Sequence, residues 1–130
     1  MALPPPPGVY VPAPTFFVSR SAPNYNPTAA PLDLETQATH AIHLAKCGIK
    51  GLAILGSTGE AVAITNKERF QVLSSVRDAL EGAGFKDYPI IAGTATQSIE
   101  ETVEQLVETE KAFAQWGLCL APGYFAGAVT

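Results

Sequence analysis

Two rhythms of apolar and polar residues alternate along this chain, and each change of rhythm marks an element. The apolar runs are short and nearly unbroken: Gly8 to Val11, Gly51-Leu52-Ala53-Ile54-Leu55, Pro89-Ile90-Ile91-Ala92 and Gly117-Leu118-Cys119-Leu120-Ala121. Runs of this length are the signature of strands buried on both faces, as in parallel sheets. Between them the spacing is helical. Asp33 can cap a helix from Leu34 to about Lys46, with Ala38, Ile42 and Ala45 on one face and Gly48 as its stop. Thr65-Asn66-Lys67-Glu68 is a capping box opening a second helix to about Leu80, with Phe70, Leu73, Val76 and Leu80 as its buried stripe. Gly82 and Gly84 end it. Ser98-Ile99-Glu100-Glu101 is a second capping box, followed by a helix with Val103, Leu106 and Val107 inward, Glu-rich solvent positions, and an end near Ala112.

The order is therefore strand, helix, strand, helix, strand, helix, strand. Right-handed crossovers turn it into a parallel α/β sheet with the helices outside. Ser19 to Pro31, broken by Pro23, Pro27 and Pro31, reads as loop, and Met1 to Pro7, with the run Pro4–Pro7, as an extended, poorly ordered tail. Residues 8–130 form the domain proper. No helix follows the last strand, and a complete small α/β domain would cover both faces and edges. The pattern reads as cut off.

Composition narrows the classes. An apolar content of 47% is ample for a core, and a net charge of −4 offers no basic footprint, so no nucleic-acid partner is expected. No apolar run approaches the roughly 20 residues that span a bilayer, and the start of the chain lacks the basic and apolar blocks of a secretory signal. Cys47 and Cys119 form neither a disulfide framework nor a metal-ligand spacing. Both read as reduced, mostly buried thiols, and the chain as cytoplasmic.

Candidate chemistry gathers at the strand ends, where α/β folds place ligands. After the second strand comes Gly56-Ser57-Thr58-Gly59-Glu60. Gly56 and Gly59 permit tight turns and close backbone approach, Ser57 and Thr58 offer hydroxyls and N–H groups to a carboxylate or small anion, and Glu60 can brace the loop as an acceptor. An ordinary turn with two glycines satisfies the same pattern. Gly93 and Thr94 follow the third strand.

Taken together, Val11-Pro12-Ala13-Pro14-Thr15-Phe16-Phe17, Gly56-Ser57-Thr58-Gly59-Glu60, Ile91-Ala92-Gly93-Thr94 and Ala121-Pro122-Gly123-Tyr124 follow one another, each at the end of an expected strand. The series resembles the dihydrodipicolinate synthase and N-acetylneuraminate lyase family of class I aldolases, most of all its fungal members, from about Gly8 to Phe125. The resemblance implies a TIM barrel of eight strand–helix units, assembled as a homo-tetramer. This chain would supply its N-terminal half, about four strands and three intervening helices, where a complete barrel takes about 250 residues.

It also implies a chemistry. Family members join a lysine to the keto carbon of pyruvate or another 2-keto acid as a Schiff base, an electron sink that eases C–C cleavage beside it. No further cofactor is implied. By position Ser57 and Thr58 would hold the keto-acid carboxylate, with Ser57 also in a proton relay. A tyrosine after the fourth strand joins that relay. Aligned without a gap it is Tyr124, and with Gly123 as an insertion Phe125 takes the place, where a phenyl ring passes no proton. The Schiff-base lysine belongs to a sixth strand and a second tyrosine to a fifth, and neither strand is present. Lys46, Lys50, Lys67, Lys86 and Lys111 all fall away from C-terminal strand ends and read as surface lysines. Phe113 stands where the family often has a glycine ending the third helix, and a Phe there implies either strain or a longer helix.

Other candidates have plainer readings. His40 and His43 lie three apart on a helix with no third ligand at metal spacing, so no metal site is expected. Trp116 reads as packing between helix and strand, and Glu100, Glu101, Glu104, Glu108 and Glu110 as a solvated helix face. Three functions follow: a keto-acid lyase when complete, a non-catalytic half-barrel acting by association, or a free-standing anion-binding module built on Gly56–Glu60.

Overall fold

Strands β1 (Tyr10–Pro12), β2 (Gly51–Ile54), β3 (Ile90–Gly93) and β4 (Trp116–Leu118) alternate with helices α1 (Leu34–Lys46), α2 (Asn66–Gly82) and α3 (Ile99–Lys111) in the computed structural model, which describes residues 3–120. Every neighbouring pair is parallel and the sheet order is β1-β2-β3-β4. Such unbroken sequential order has no switch point. It is the winding of a barrel segment, with all helices on one side, rather than of a doubly wound sheet.

The core lies between sheet and helices. Leu52, Ile54, Ile90 and Ala92 alternate toward the helices and meet Ala41, Ala45, Val72, Leu73, Val76 and Leu80. Burying each large aliphatic side chain contributes about 1.5–3 kcal/mol. Ala53 and Ile91, pointing to the other face, are only half-buried. That face is the inner wall of the barrel segment.

The elements match the sequence pattern, but three helix faces are turned from it. In α1 the buried positions are Gln37, Ala41 and Ala45, with Ala38 and Ile42 half-buried. In α2 Phe70 is exposed, because Arg69 next to it takes the inward position. In α3 Gln105 and Thr109 face inward, while Ile99, Val103 and Val107 form an exposed ridge. Leu106 accompanies that rotation: its Cδ2 occupies the space that a Cβ on Gly117 would take. Gly117, not Trp116, is thus the β4 residue packed against a helix. Trp116 shares its register, and so its face, with Ile91. The cysteines are also corrected: Cys47, the C-cap of α1, and Cys119, beyond β4, are both exposed.

Caps decide where the helices start. At α2 Thr65 and Glu68 bond reciprocally, as the capping box requires. At α3 Ser98 accepts from the Glu101 N–H, but the Glu101 carboxylate turns to the Thr96 hydroxyl at 2.6 Å and Thr96 receives the Ser98 N–H. Thr96 has replaced half of the expected box. Asp33 caps α1 through the Thr36 N–H and hydroxyl, which hold its carboxyl below the ordinary 3.8.

Phe113 leaves α3 with φ 58°, the left-handed conformation, and an exposed side chain. Its carbonyl explains why the turn persists. Arg77, buried in α2, donates to it through Nε and Nη2 and donates again to the Gln115 side chain, which also accepts the Ile90 N–H. Burial pushes the Arg77 guanidinium down from its usual value, while Glu81 and Asp87 pull it up.

Two outcomes follow. Phe113→Gly should raise stability by about 1 kcal/mol, read from the urea midpoint, since glycine adopts this conformation without the L-residue penalty. Asp33→Ala should destabilise the chain at neutral pH. Because the folded carboxyl is lowered, its contribution is complete above 3.8 and disappears as pH falls through the folded value, so the two unfolding midpoints should converge in acid.

Candidate functional site

Strand β2 ends abruptly. Leu55 takes φ 60°, a left-handed geometry that a leucine adopts only under constraint, and Gly56–Glu60 then folds into a tight turn. Gly59 N–H donates to the Gly56 carbonyl and Glu60 N–H to that of Ser57, both at 3.1 Å. Glu60 is itself left-handed, at φ 51°, and leads into a single 3-10 turn at Ala61–Ala63. It shapes the loop through this backbone geometry. Its side chain is exposed and, among the described residues, its carboxylate accepts no hydrogen bond of the bracing kind expected from sequence.

Two glycines make the turn possible. A Cβ on Gly59 would press on the Leu55 backbone and the Ala13 carbonyl. A Cβ on Gly93 would collide with the Leu55 carbonyl and the Gly56 Cα. The ends of β2 and β3 thus touch backbone to backbone. Ser57 and Thr58 stand exposed at the tip, and neither takes part in a side-chain hydrogen bond among the described residues. Two exposed hydroxyls on a tight turn are equipped to receive an acceptor-rich group such as a carboxylate.

The loops are held from behind by buried polar side chains that hydrophobic periodicity passes over. Thr15, after β1, donates its hydroxyl to the Gly59 carbonyl at 2.6 Å. Gln37 of α1 accepts the Phe16 N–H and donates to the Pro14 carbonyl. Arg69 of α2 donates to the Gly93 carbonyl at 2.8 Å. Gln105 of α3 accepts the Ala95 N–H and donates to Asn66. Arg69 is 1% exposed, and burial lowers its pKa against the pull of Glu108 and Glu101. One sequence signal was available: Gln37 heads the i, i+4, i+8 stripe Gln37-Ala41-Ala45.

Of the site residues expected from sequence, Gly56, Ser57, Thr58, Gly59, Glu60, Gly93 and Thr94 come together at the C-terminal end of the sheet. Thr94 is buried, with its N–H on the Leu118 carbonyl at 2.9 Å, so it joins β3 to β4. Tyr124, Phe125 and Gly123 lie outside the described residues. All five lysines are exposed, and Lys50 donates its N–H to Val9 at the opposite end of the sheet. His40 packs its ring edge-on against Phe16. Among the described residues no group of His, Cys, Asp and Glu could hold a metal. A cavity of about 470 Å3 between the starts of α2 and α3 is lined by neither Ser57 nor Thr58.

A sequentially wound parallel sheet with its polar loops at the C-terminal strand ends defines half of an α/β barrel of the enzyme type. The dihydrodipicolinate synthetase family model matches residues 23–128, and the chain belongs to that family. Among curated proteins it is 43% identical over 119 residues to an L-threo-3-deoxy-hexylosonate aldolase of Aspergillus niger, covering 92% of this chain and 33% of that protein. It is 35% identical to a probable 4-hydroxy-2-oxoglutarate aldolase, mitochondrial, of Emericella nidulans, covering 95% and 37%. Among solved structures a dihydrodipicolinate synthase family protein from Coccidioides immitis superposes with TM-score 0.77 at 34% identity, over 92% of this chain and 36% of that one. The chain thus spans about a third of the length of the curated relatives it matches.

Thr15→Val keeps the shape and removes the donor to Gly59. The unpaired buried carbonyl should cost about 1–3 kcal/mol in urea unfolding, with Thr15→Ser losing far less.

Proposed function

We propose that the complete protein is a class I lyase that cleaves a hydroxylated 2-keto acid through a lysine Schiff base, and that this chain supplies its carboxylate-binding loop. The observation that carries the proposal is the exposed Ser57–Thr58 pair on a turn fixed by Thr15, Gly59 and Gly93. The names of the fungal relatives, aldolases of a deoxy-hexylosonate and of a hydroxylated oxoglutarate, support aldol cleavage over dihydrodipicolinate synthesis.

In this reading Ser57 and Thr58 hold the substrate carboxylate, which sets the neighbouring keto carbon against the lysine. The amine adds to that carbon and water leaves, giving an iminium. The C4 hydroxyl gives up its proton and the C3–C4 bond, one carbon removed from the iminium carbon, breaks; its electron pair flows into the iminium, forming an enamine and releasing an aldehyde. Protonation and hydrolysis return the lysine and free the shorter keto acid. Ser57 and Tyr124 would pass protons in these steps. The lysine is not one of the five present, so residues 8–130 are a partial barrel and inactive alone. The complete protein would act as a homo-oligomer in a reducing compartment, the cytoplasm or the mitochondrial matrix. Two free cysteines fit that setting, and among the described residues no helix is long and apolar enough to cross a membrane.

A second reading rests on the half-buried inner wall at Ala53, Ile91 and Trp116: a non-catalytic half-barrel that works only by association. Borohydride reduction with pyruvate separates the two. The full-length protein should gain a covalent pyruvate adduct on one lysine, and this chain none. In the full-length protein Ser57→Ala and Thr58→Val should each weaken keto-acid binding by about 1–3 kcal/mol, seen mainly in KM for Thr58→Val and in both KM and kcat for Ser57→Ala. An adduct on Lys46, Lys50, Lys67, Lys86 or Lys111, or an unchanged KM, would overturn the assignment.

A further inference from the structure

The end of the sheet opposite the loops carries a contact that the aldolase reading does not use. Trp116, the first residue of β4, donates its indole Nε1–H to the Leu3 carbonyl at 2.7 Å across 113 positions of sequence. Tyr10, the first residue of β1, donates its hydroxyl to the Pro6 carbonyl at 2.9 Å. β1 and β4 are the two edges of the sheet. The N-terminal segment, expected from sequence to be a loose tail, therefore runs from one edge to the other.

Its composition suits that path. Four successive prolines fix φ near −65°, and each restrains the residue before it, so Pro4–Pro7 has little choice but polyproline II. That helix has no internal hydrogen bonds and leaves its carbonyls outward. Tyrosine and tryptophan, each with a flat apolar body and one donor at the rim, are the side chains that proline-binding surfaces use to meet them. The lengths agree too. Three strand spacings separate β1 from β4, about 14 Å. Five residues of polyproline II, Leu3 to Gly8, advance about 15 Å.

Two glycines anchor its β1 end. Gly8 turns the segment into β1 with φ 154°, its Cα against the Lys50 side chain, where a Cβ would collide with that of Lys50. Gly51 gives the Tyr10 ring its seat: a Cβ there would strike the ring.

We propose that Leu3–Pro7 is a proline strut, seated on the Tyr10–Trp116 pair, that closes the N-terminal end of the barrel segment and fixes the separation of its edge strands. The surface is a polyproline-binding one, and its occupant is this chain's own N-terminal segment. Trp116 is the only tryptophan of these 130 residues, so in this chain the fluorescence reports the surroundings of the residue on which the strut is seated.

The test compares iodide quenching and the emission maximum of the wild type with three variants. One deletes residues 1–7. The second carries Pro4→Gly, Pro5→Ser, Pro6→Gly and Pro7→Ser, which keeps the length and removes the stiffness. The third is Tyr10→Phe, which removes one anchor and leaves the ring. Circular dichroism at each step reports whether the helices remain. Several-fold stronger quenching and a red shift are expected for the first two, with an intermediate change for Tyr10→Phe, all at wild-type helix content. Wild-type quenching in the Gly/Ser variant overturns the strut. If that variant loses its helices, Tyr10→Phe decides, and wild-type quenching there overturns the proposal. Wild-type protection that falls on dilution would also overturn it, because the occupant would then be the segment of a second copy.

Discussion

A parallel strand that stops at the surface leaves backbone groups with no ladder to join, and the chain must satisfy them from elsewhere. This constraint organises the molecule. The Gly59 carbonyl takes the Thr15 hydroxyl, the Gly93 carbonyl takes Arg69, the Ala95 N–H reaches Gln105, and the Phe16 N–H reaches Gln37. At the other end Gln115 and Arg77 do the same for Ile90 and Phe113. Each donor or acceptor comes from a helix or loop packed behind the strand it serves. Helix placement and loop geometry are therefore one problem, and side chains buried for the backbone's sake occupy positions that an apolar stripe would otherwise fill.

That explains what could be read from the sequence. The four strands and three helices were legible because short unbroken apolar runs and helical spacing are different periods, and because Asp33, Thr65 and Ser98 announce helix starts. The faces of those helices were not. Gln37, Arg69 and Gln105 sit inward while Phe70, Val103 and Val107 sit outward, and hydrophobicity alone ranks each of them the other way. Gln115 and Trp116 were obscure for a related reason, since their partners lie 25 and 113 residues away. In the candidate site, Gly56, Ser57, Thr58 and Gly93 were visible as a loop motif, and Thr15 as part of the motif after the first strand, but its bond to the Gly59 carbonyl, 44 residues away, was not.

The relatives agree with this division. A TM-score of 0.77 at 34% identity means that the backbone frame is shared where most side chains are not. Fold follows from winding order and from the few glycines at strand ends.

Gly93 carries a consequence for how such a site can change over time. Because its absent side chain admits the Leu55 carbonyl and the Gly56 Cα, the terminus of one strand is the mould in which the next loop is cast. A sequence change at Ser57 or Thr58 alters which groups are offered without altering where they stand. A single methyl group at position 93 would do the reverse, shifting the whole turn with every chemical group intact. Position and chemistry are thus encoded in different strands, and variation can explore one while the other is held still.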